Sequence, residues 1–230
     1  MKVRIESLIE GARSAVGHVV VIDVFRAFTT AAVAFSRGTA KIFMVDTVED
    51  ALALRECGIA QLCMGEVRGR MPVGFDLGNS PFQAGQVAVA GKVIAQRTSA
   101  GTQGIVSADK ATRWFAGSLV TAAATARAIR ADSPPEVTLV AMGNEGTVRT
   151  VEDELCAIYL RDLLEGRQGN AAAVRDVILA GPRTSDFANP AKAHLHPDDL
   201  TIALDINRFD FAVEIDRHEG QSVARLHRPT

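Results

Sequence analysis

VVVIDVFRAFTTAAVAFSRGTAKIFMVD, residues 19 to 46, decides the fold class. It opens on an apolar run closed by Asp23, VVVID (19–23), which reads as a buried strand. The next run, FRAFTTAAVAFSRG (25–38), is alanine-rich and amphipathic, and reads as a helix with Gly38 past its end. KIFMVD (41–46) is short and apolar again, a second strand. Strand, helix and strand in alternation are the pattern of an α/β architecture.

The alternation continues outward. Thr47 with Asp50 three residues on makes a capping-box start for TVEDALALRECG, which Gly58 ends. QLCMGE (61–66), KVIAQR (92–97) and EVTLVAMG (136–143) read as further strands, and WFAGSLV (114–120) as a short one. Ser80 before Pro81 looks like the N-cap and first residue of a helix through PFQAGQVAVAG (81–91). TSAGTQG (98–104) reads as a turn. Helices are expected up to about Ala131, from Val151 to about Glu165, in AAAVRDVILAG (171–181) and from HPDDLTIAL (196–204), with a terminal hairpin of FDFAVEI and SVARLHR.

Composition bounds the rest. The 230 residues, 47% hydrophobic and 23% charged, suit one domain or two small, intimately packed ones, and a single compact unit over 1–230 is expected. A net charge of −2 supplies no broad basic field, so a small ligand is expected rather than nucleic acid. No apolar stretch has the form of a signal peptide or a membrane span, and the expected place is the cytoplasm without a membrane partner. Cys57, Cys63 and Cys156 match no zinc or redox spacing and are expected to be buried, reduced thiols.

Polar residues collect where strands end: Asp23 with Arg26, Glu66 with Arg68, Arg97 with Thr98 to Thr102, and Asn144 with Glu145. Ligands in open α/β sheets bind outside the carboxyl ends of strands, so these groups can share one site. Asp23 is equally a helix N-cap candidate, whereas Arg26 stands at the helix end that favours anions and reads as a partner of a bound one or as an ordinary surface arginine. Glu66 and Asp76 bracket the glycine-rich loop GEVRGRMPVGFDLGNSP (65–81), a form that suits Mg²⁺ or an internal pair with arginine. Asn79 and Ser80 at a helix start suit an anion or simple capping. TSAGT offers three hydroxyls but lacks the P-loop pattern. Thr150 and Asp153 have capping-box spacing. With Val151, Leu155, Ile158 and Tyr159 inward on the helical wheel, Glu152 lies at the edge of the apolar stripe and Asp153 points away, so Glu152 is the acid favoured to meet a ligand if either does. His194 and His196 with Asp198 and Asp199 read more simply as a turn and helix start than as a metal site.

VVIDVFRAFTTA, GEVRGRMPVGFDLGNSP, TSAGT and VEDELCA occur in an order and spacing that resembles the 2-phosphosulfolactate phosphatase family. GFDLGNSP is the most specific of these. The resemblance implies a three-layer α/β/α fold on a mixed, largely parallel sheet, and a Mg²⁺-dependent phosphatase on the route to coenzyme M or related sulfonates. It points to Asp23, Arg26, Glu66, Asp76, Asn79, Ser80, Thr98, Thr102, Glu152 and Asp153. The expected roles are catalysis by Asp23, Arg26, Glu66 and Glu152, and substrate binding by Arg68, Asn79, Ser80, Arg97, Thr98, Ser99 and Thr102. Asp23, Glu66, Asp76, Glu152 and Asp153 are the expected Mg²⁺ ligands. The expected partner is a small anionic phosphorylated substrate, with at most a second copy of the chain in a homodimer. The chain departs from the family's common Thr-Asn-Gly-Thr at Ser99 to Thr102 and from Gly-Glu-Arg-Gly-Gly at GEVRG, and carries bulky Phe25 and Phe28 around Asp23. Water is expected to attack phosphorus directly, because Phe25 stands where an Asp-x-Asp phosphatase has its second acid. An enzyme for another small phosphorylated acid, or a non-catalytic anion-binding protein, are the rival readings.

Overall fold

In the computed structural model, which describes residues 1–229, nine strands form one mixed sheet. In chain order the elements are β1 (Lys2–Ser7), α1 (Leu8–Ser14), β2 (Gly17–Ile22), α2 (Ala27–Ser36), β3 (Lys41–Met44), α3 (Val48–Glu56), β4 (Leu62–Gly65) and α4 (Pro81–Gln86). Then come β5 (Val93–Arg97), α5 (Gly101–Ser107), β6 (Ala111–Gly117), α6 (Ala122–Asp132), β7 (Glu136–Ala141), α7 (Val151–Leu164), α8 (Ala171–Leu179), α9 (Pro197–Ala203), β8 (Ala212–His218) and β9 (Gln221–His227). The spatial order is β1-β7-β2-β6-β8-β9-β3-β5-β4. β1, β7, β2 and β6 make one parallel block and β3, β5 and β4 another. The expected terminal hairpin, β8 and β9, lies between them, antiparallel to β6 on one side and to β3 on the other.

Helices cover both faces, which is why the strands read as apolar runs rather than as alternations. Val19 and Val21 of β2 enter a core shared with Ala12 of α1, Phe28 and Ala31 of α2 and Ile105 of α5. Val20 and Ile22 point the other way, into Ala126 and Ile129 of α6, Leu160 of α7, Ile178 of α8 and Ala203 of α9. Ala51 of α3 packs with Cys63, Ala95 and Phe75 over the second block. The three-layer α/β/α arrangement on a largely parallel sheet is the one expected.

The differences are local and have physical causes. α4 stops at Gln86 because Val87 turns extended (φ −88°, ψ 146°), and Val89 reaches the core from that extended segment. TSAGTQG is a helix start rather than a turn: the Thr98 and Thr102 hydroxyls each accept the other residue's amide, at 3.0 and 2.9 Å, bracing the first turn of α5. Cys57 is exposed, whereas Cys63 and Cys156 are buried free thiols as expected. The buried stripe of α7 carries Glu152, Asp153, Cys156, Tyr159 and Leu160, with Val151 and Ile158 exposed.

Two glycines hold the blocks to the site. Gly65 has φ +139°, and a Cβ there would stand 1.8 Å from the Arg97 carbonyl oxygen. At Gly101 a Cβ would meet Asp23 Oδ2 and Ala27 Cβ, both at 2.9 Å. Along the ladder the blocks run in opposite senses, because three antiparallel pairings separate β6 from β3. Sheets twist by about 20–25° per step, so blocks five steps apart, as β2 and β5 are, need not hold their strand ends on opposite sides of the molecule. The segments following β2, β4, β5 and β7 line a single cavity.

Candidate active site

That cavity has a volume of about 500 Å³. Asp23, leaving β2, is buried in its floor; Oδ1 accepts the Ala27 amide of α2 at 3.1 Å. Burial is the main cause that lifts its carboxyl to a pKa of about 7, with Glu66 adding to the rise and the Ala27 amide, Arg183 and the Gly101 amide opposing it. Glu66, at the end of β4, is held by three donors: the Ser99 amide on Oε1 (2.5 Å), and the Gly69 amide (2.5 Å) and Ser99 hydroxyl (3.0 Å) on Oε2. Two carboxylates from different blocks thus face one volume.

Glu152, in the first turn of α7, is almost fully buried and accepts Arg183 Nη1 at 2.8 Å. Asp153 does not point away. The loops after β2 and β7 fold over that side of the helix, and its two oxygens take the amides of Val24 and Gly143, both at 2.8 Å. Desolvation, then the charges of Asp23 and Glu152, raise its pKa well above the ordinary carboxylate value. The capping box expected of Thr150 and Asp153 is not formed, since Thr150 makes no side-chain cap bond.

Arg26 is the N-cap of α2 and only 4% exposed. The anion beside it is the protein's own: Nη1 donates to Asp199 Oδ2 at 2.6 Å and to the His194 carbonyl at 2.9 Å. Its Nε and Nη2 have no protein partner among the described residues. Asp199 is fully buried and also accepts Ser80 Oγ (2.6 Å) and the Phe82 amide (3.0 Å) on Oδ1, and the His196 amide (3.2 Å) on Oδ2. His196 caps α9 in a capping box with Asp199, the helix start expected there.

Seven of the expected residues line the cavity: Asp23, Arg26, Glu66, Arg68, Asn79, Ser99 and Glu152. The others lie outside its wall. Asp76 turns outward, 36% exposed, to Arg55 (3.0 Å) and the Cys63 amide (2.8 Å), because the strand edge at Cys63 and helix α3 offer it donors. Arg97 is spent on the carbonyls of Asp46 and Glu66, at 3.1 and 2.9 Å. Ser80 caps α4 and bonds Asp199, and Thr98 and Thr102 bond each other. No three His, Cys, Asp or Glu side chains among the described residues are placed together as an ion cage, so the five-carboxylate set is not gathered at one point.

The segment between α8 and α9 supplies what sequence reasoning missed. Arg183, Asp186, Lys192 and His194 all line the cavity from it, with Lys192 paired to Asp186 at 2.7 Å. Burial, then the neighbouring Arg26, Arg70 and Lys192, lower the pKa of His194. The available signal was a long aperiodic connection, punctuated by Gly181, Pro182 and Pro190, that carries cations, a form loops take when they serve a site.

The fold and cavity define an α/β protein with a buried acidic pair and an arginine edge at the convergence of its strand ends. A profile of the 2-phosphosulpholactate phosphatase family matches residues 4–212, and the chain belongs to that family. It is 40% identical over 129 residues to a probable 2-phosphosulfolactate phosphatase of Deinococcus radiodurans, covering 56% of this chain and 54% of that one. Proteins of the same description from Caldicellulosiruptor saccharolyticus and Thermus thermophilus are 35% and 36% identical, over 64% of this chain and 62% and 61% of theirs. The matches thus span less than two thirds of these relatives. Among the described residues no helix is long and apolar enough to cross a membrane.

Proposed function

We propose that this chain is a phosphatase acting on a small phosphomonoester that carries further acid groups, and that 2-phosphosulfolactate is its substrate, giving sulfolactate and phosphate. One observation carries the reading: Asp23 and Glu66 share a cavity with the unpartnered edge of Arg26. A binding protein for anions has no use for two buried carboxylates beside its arginine, whereas phosphoryl transfer needs cationic neutralisation and a means of recruiting a divalent ion or a proton.

The donor set fits Mg²⁺. This ion takes one or two carboxylates and completes its octahedron with water and substrate oxygens, so no larger acid cluster is required. Asp23 and Glu66 would hold it, Asp23 giving up its proton on binding. When bound, the ion supplies charge neutralisation at the phosphoryl oxygens and a more acidic water.

The remaining work falls to the chain. The free Nε and Nη2 of Arg26 form a planar pair of donors suited to two phosphoryl oxygens. Arg68, which has no side-chain bond among the described residues, and Arg183 and Lys192 balance the substrate's other charges. Glu152 holds Arg183 in place. Water attacks phosphorus in line with the leaving ester oxygen, which departs with a proton as the alcohol. The reading is tested by phosphate release from 2-phosphosulfolactate and from simple phosphomonoesters, first with Mg²⁺ and then with chelator. Metal-dependent release is expected; tight binding without release would favour the anion-binding alternative, and silence on every phosphomonoester would sink the reading.

A further inference from the structure

We infer that Asp199 is the positioning residue of this site, fixing Arg26 so that its Nε–Nη2 edge, and no other, faces the cavity. The inference rests on the phosphatase reading in taking the cavity's ligand to be a phosphoryl group.

Four donors converge on the two oxygens of Asp199: Arg26 Nη1 and the His196 amide on Oδ2, Ser80 Oγ and the Phe82 amide on Oδ1. Only an ionised carboxylate can accept all four, because each oxygen already receives two hydrogens. An asparagine turned either way would set its NH₂ against two of those donors, breaking one pair of bonds. The side chain is fully buried, so water cannot replace what is lost. Asp199 therefore joins the starts of α4 and α9 to a guanidinium 173 residues earlier in the chain.

The orientation follows. The Arg26 guanidinium is planar and rigid, and with Nη1 committed to Asp199 and the His194 carbonyl its remaining direction of approach is set. A positioning error of an ångström at such a group is enough to cost a large factor in rate. Two effects oppose each other when the Asp199 charge is removed. The loss of a nearby negative charge favours a bound anion, while the loss of the clamp removes the paired contact. Ground-state affinity feels both, but turnover depends on the fixed fork.

The test is a double-mutant cycle on the full chain with a hydrolysed phosphomonoester. Asp199→Asn is expected to lower kcat at least tenfold with a smaller change in KM, and to lower it less than twofold further in an Arg26→Gln background. A kcat within twofold of the parent, or losses that multiply in the double variant, would overturn the inference. Where Asp199→Asn does not fold, Asp199→Glu keeps the charge and both oxygens but moves them by a methylene, and the same outcomes apply. A second readout needs no turnover: inorganic phosphate should shift the Arg26 Nε–H resonance of ¹⁵N-labelled parent, identified by its absence from Arg26→Gln, and not that of the Asp199 variant. A parent that shows this shift yet hydrolyses no phosphomonoester leaves the clamp standing and removes the phosphatase reading. A parent whose Arg26 signal ignores phosphate overturns the clamp.

Discussion

Asp23 carries the sharpest consequence of burial. Its pKa in the folded chain, about 7, lies above the ordinary 3.8, so the folded state holds a proton that the unfolded state has released between those values. The contribution of Asp23 to stability therefore falls as pH rises from about 4 to about 7 and is flat above, by an amount on the order of 4 kcal/mol at the plateau. Asp23→Asn should remove that slope, so that the variant melts higher than the parent above pH 7 in metal-free buffer, while phosphate release is lost; thermal melts across pH 5–8 check it. By the same linkage Mg²⁺ binding should release a proton and weaken below pH 7, read by calorimetry in buffers of different ionisation enthalpy. Asp76 gives the contrasting expectation. About a third exposed and paired with Arg55 away from the cavity, it should tolerate Asp76→Asn with kcat within about twofold of the parent and a stability loss of roughly 1 kcal/mol or less. Sequence motifs named both residues as ligands, and only the direction each side chain takes separates them.

At the scale of elements, the site depends on how closely they approach. Gly101 lets the start of α5 sit against Asp23 and Ala27. Gly101→Ala should lower stability by about 1–3 kcal/mol through overpacking and reduce turnover by displacing Asp23, measured by urea unfolding and steady-state kinetics. Arg183, reaching in from the connection between α8 and α9, is the sole side-chain partner of buried Glu152 among the described residues. Arg183→Ala leaves that carboxylate without its partner at the cavity wall and should cost about 1–3 kcal/mol, much of it recovered by adding Glu152→Gln. Most elements were legible in the sequence: β2, α2, β3 and α3 follow from apolar runs punctuated by Gly38, Thr47 and Gly58. What was not legible depended on partners distant in the chain. The wheel of α7 put Asp153 in solvent because nothing local announces the Val24 and Gly143 amides that cover it. Nothing local announces Asp199 as the partner of Arg26 either, because it lies 173 residues along the chain.

At the scale of the whole molecule, the sheet is two parallel blocks joined through a hairpin that is late in sequence and central in space. Alternating strands and helices disclosed the α/β class but not this order, since strand pairing is decided by packing between distant segments rather than by local pattern. Without residues 212–229 both β6 and β3 would present unpaired edges, and the apolar faces of Val213, Ile215 and Ala224 would be missing from the core. A chain truncated at residue 211 should accordingly fail to give a cooperative melt and should aggregate, seen by calorimetry and light scattering. Asp23 and Glu152 belong to the first block, and Glu66 and Ser99 to the second. During synthesis on the ribosome, every one of these groups emerges before the segment that draws their blocks together. A nascent chain therefore holds these groups in pieces, and the cavity they line is assembled only once β8 and β9 have left the exit tunnel.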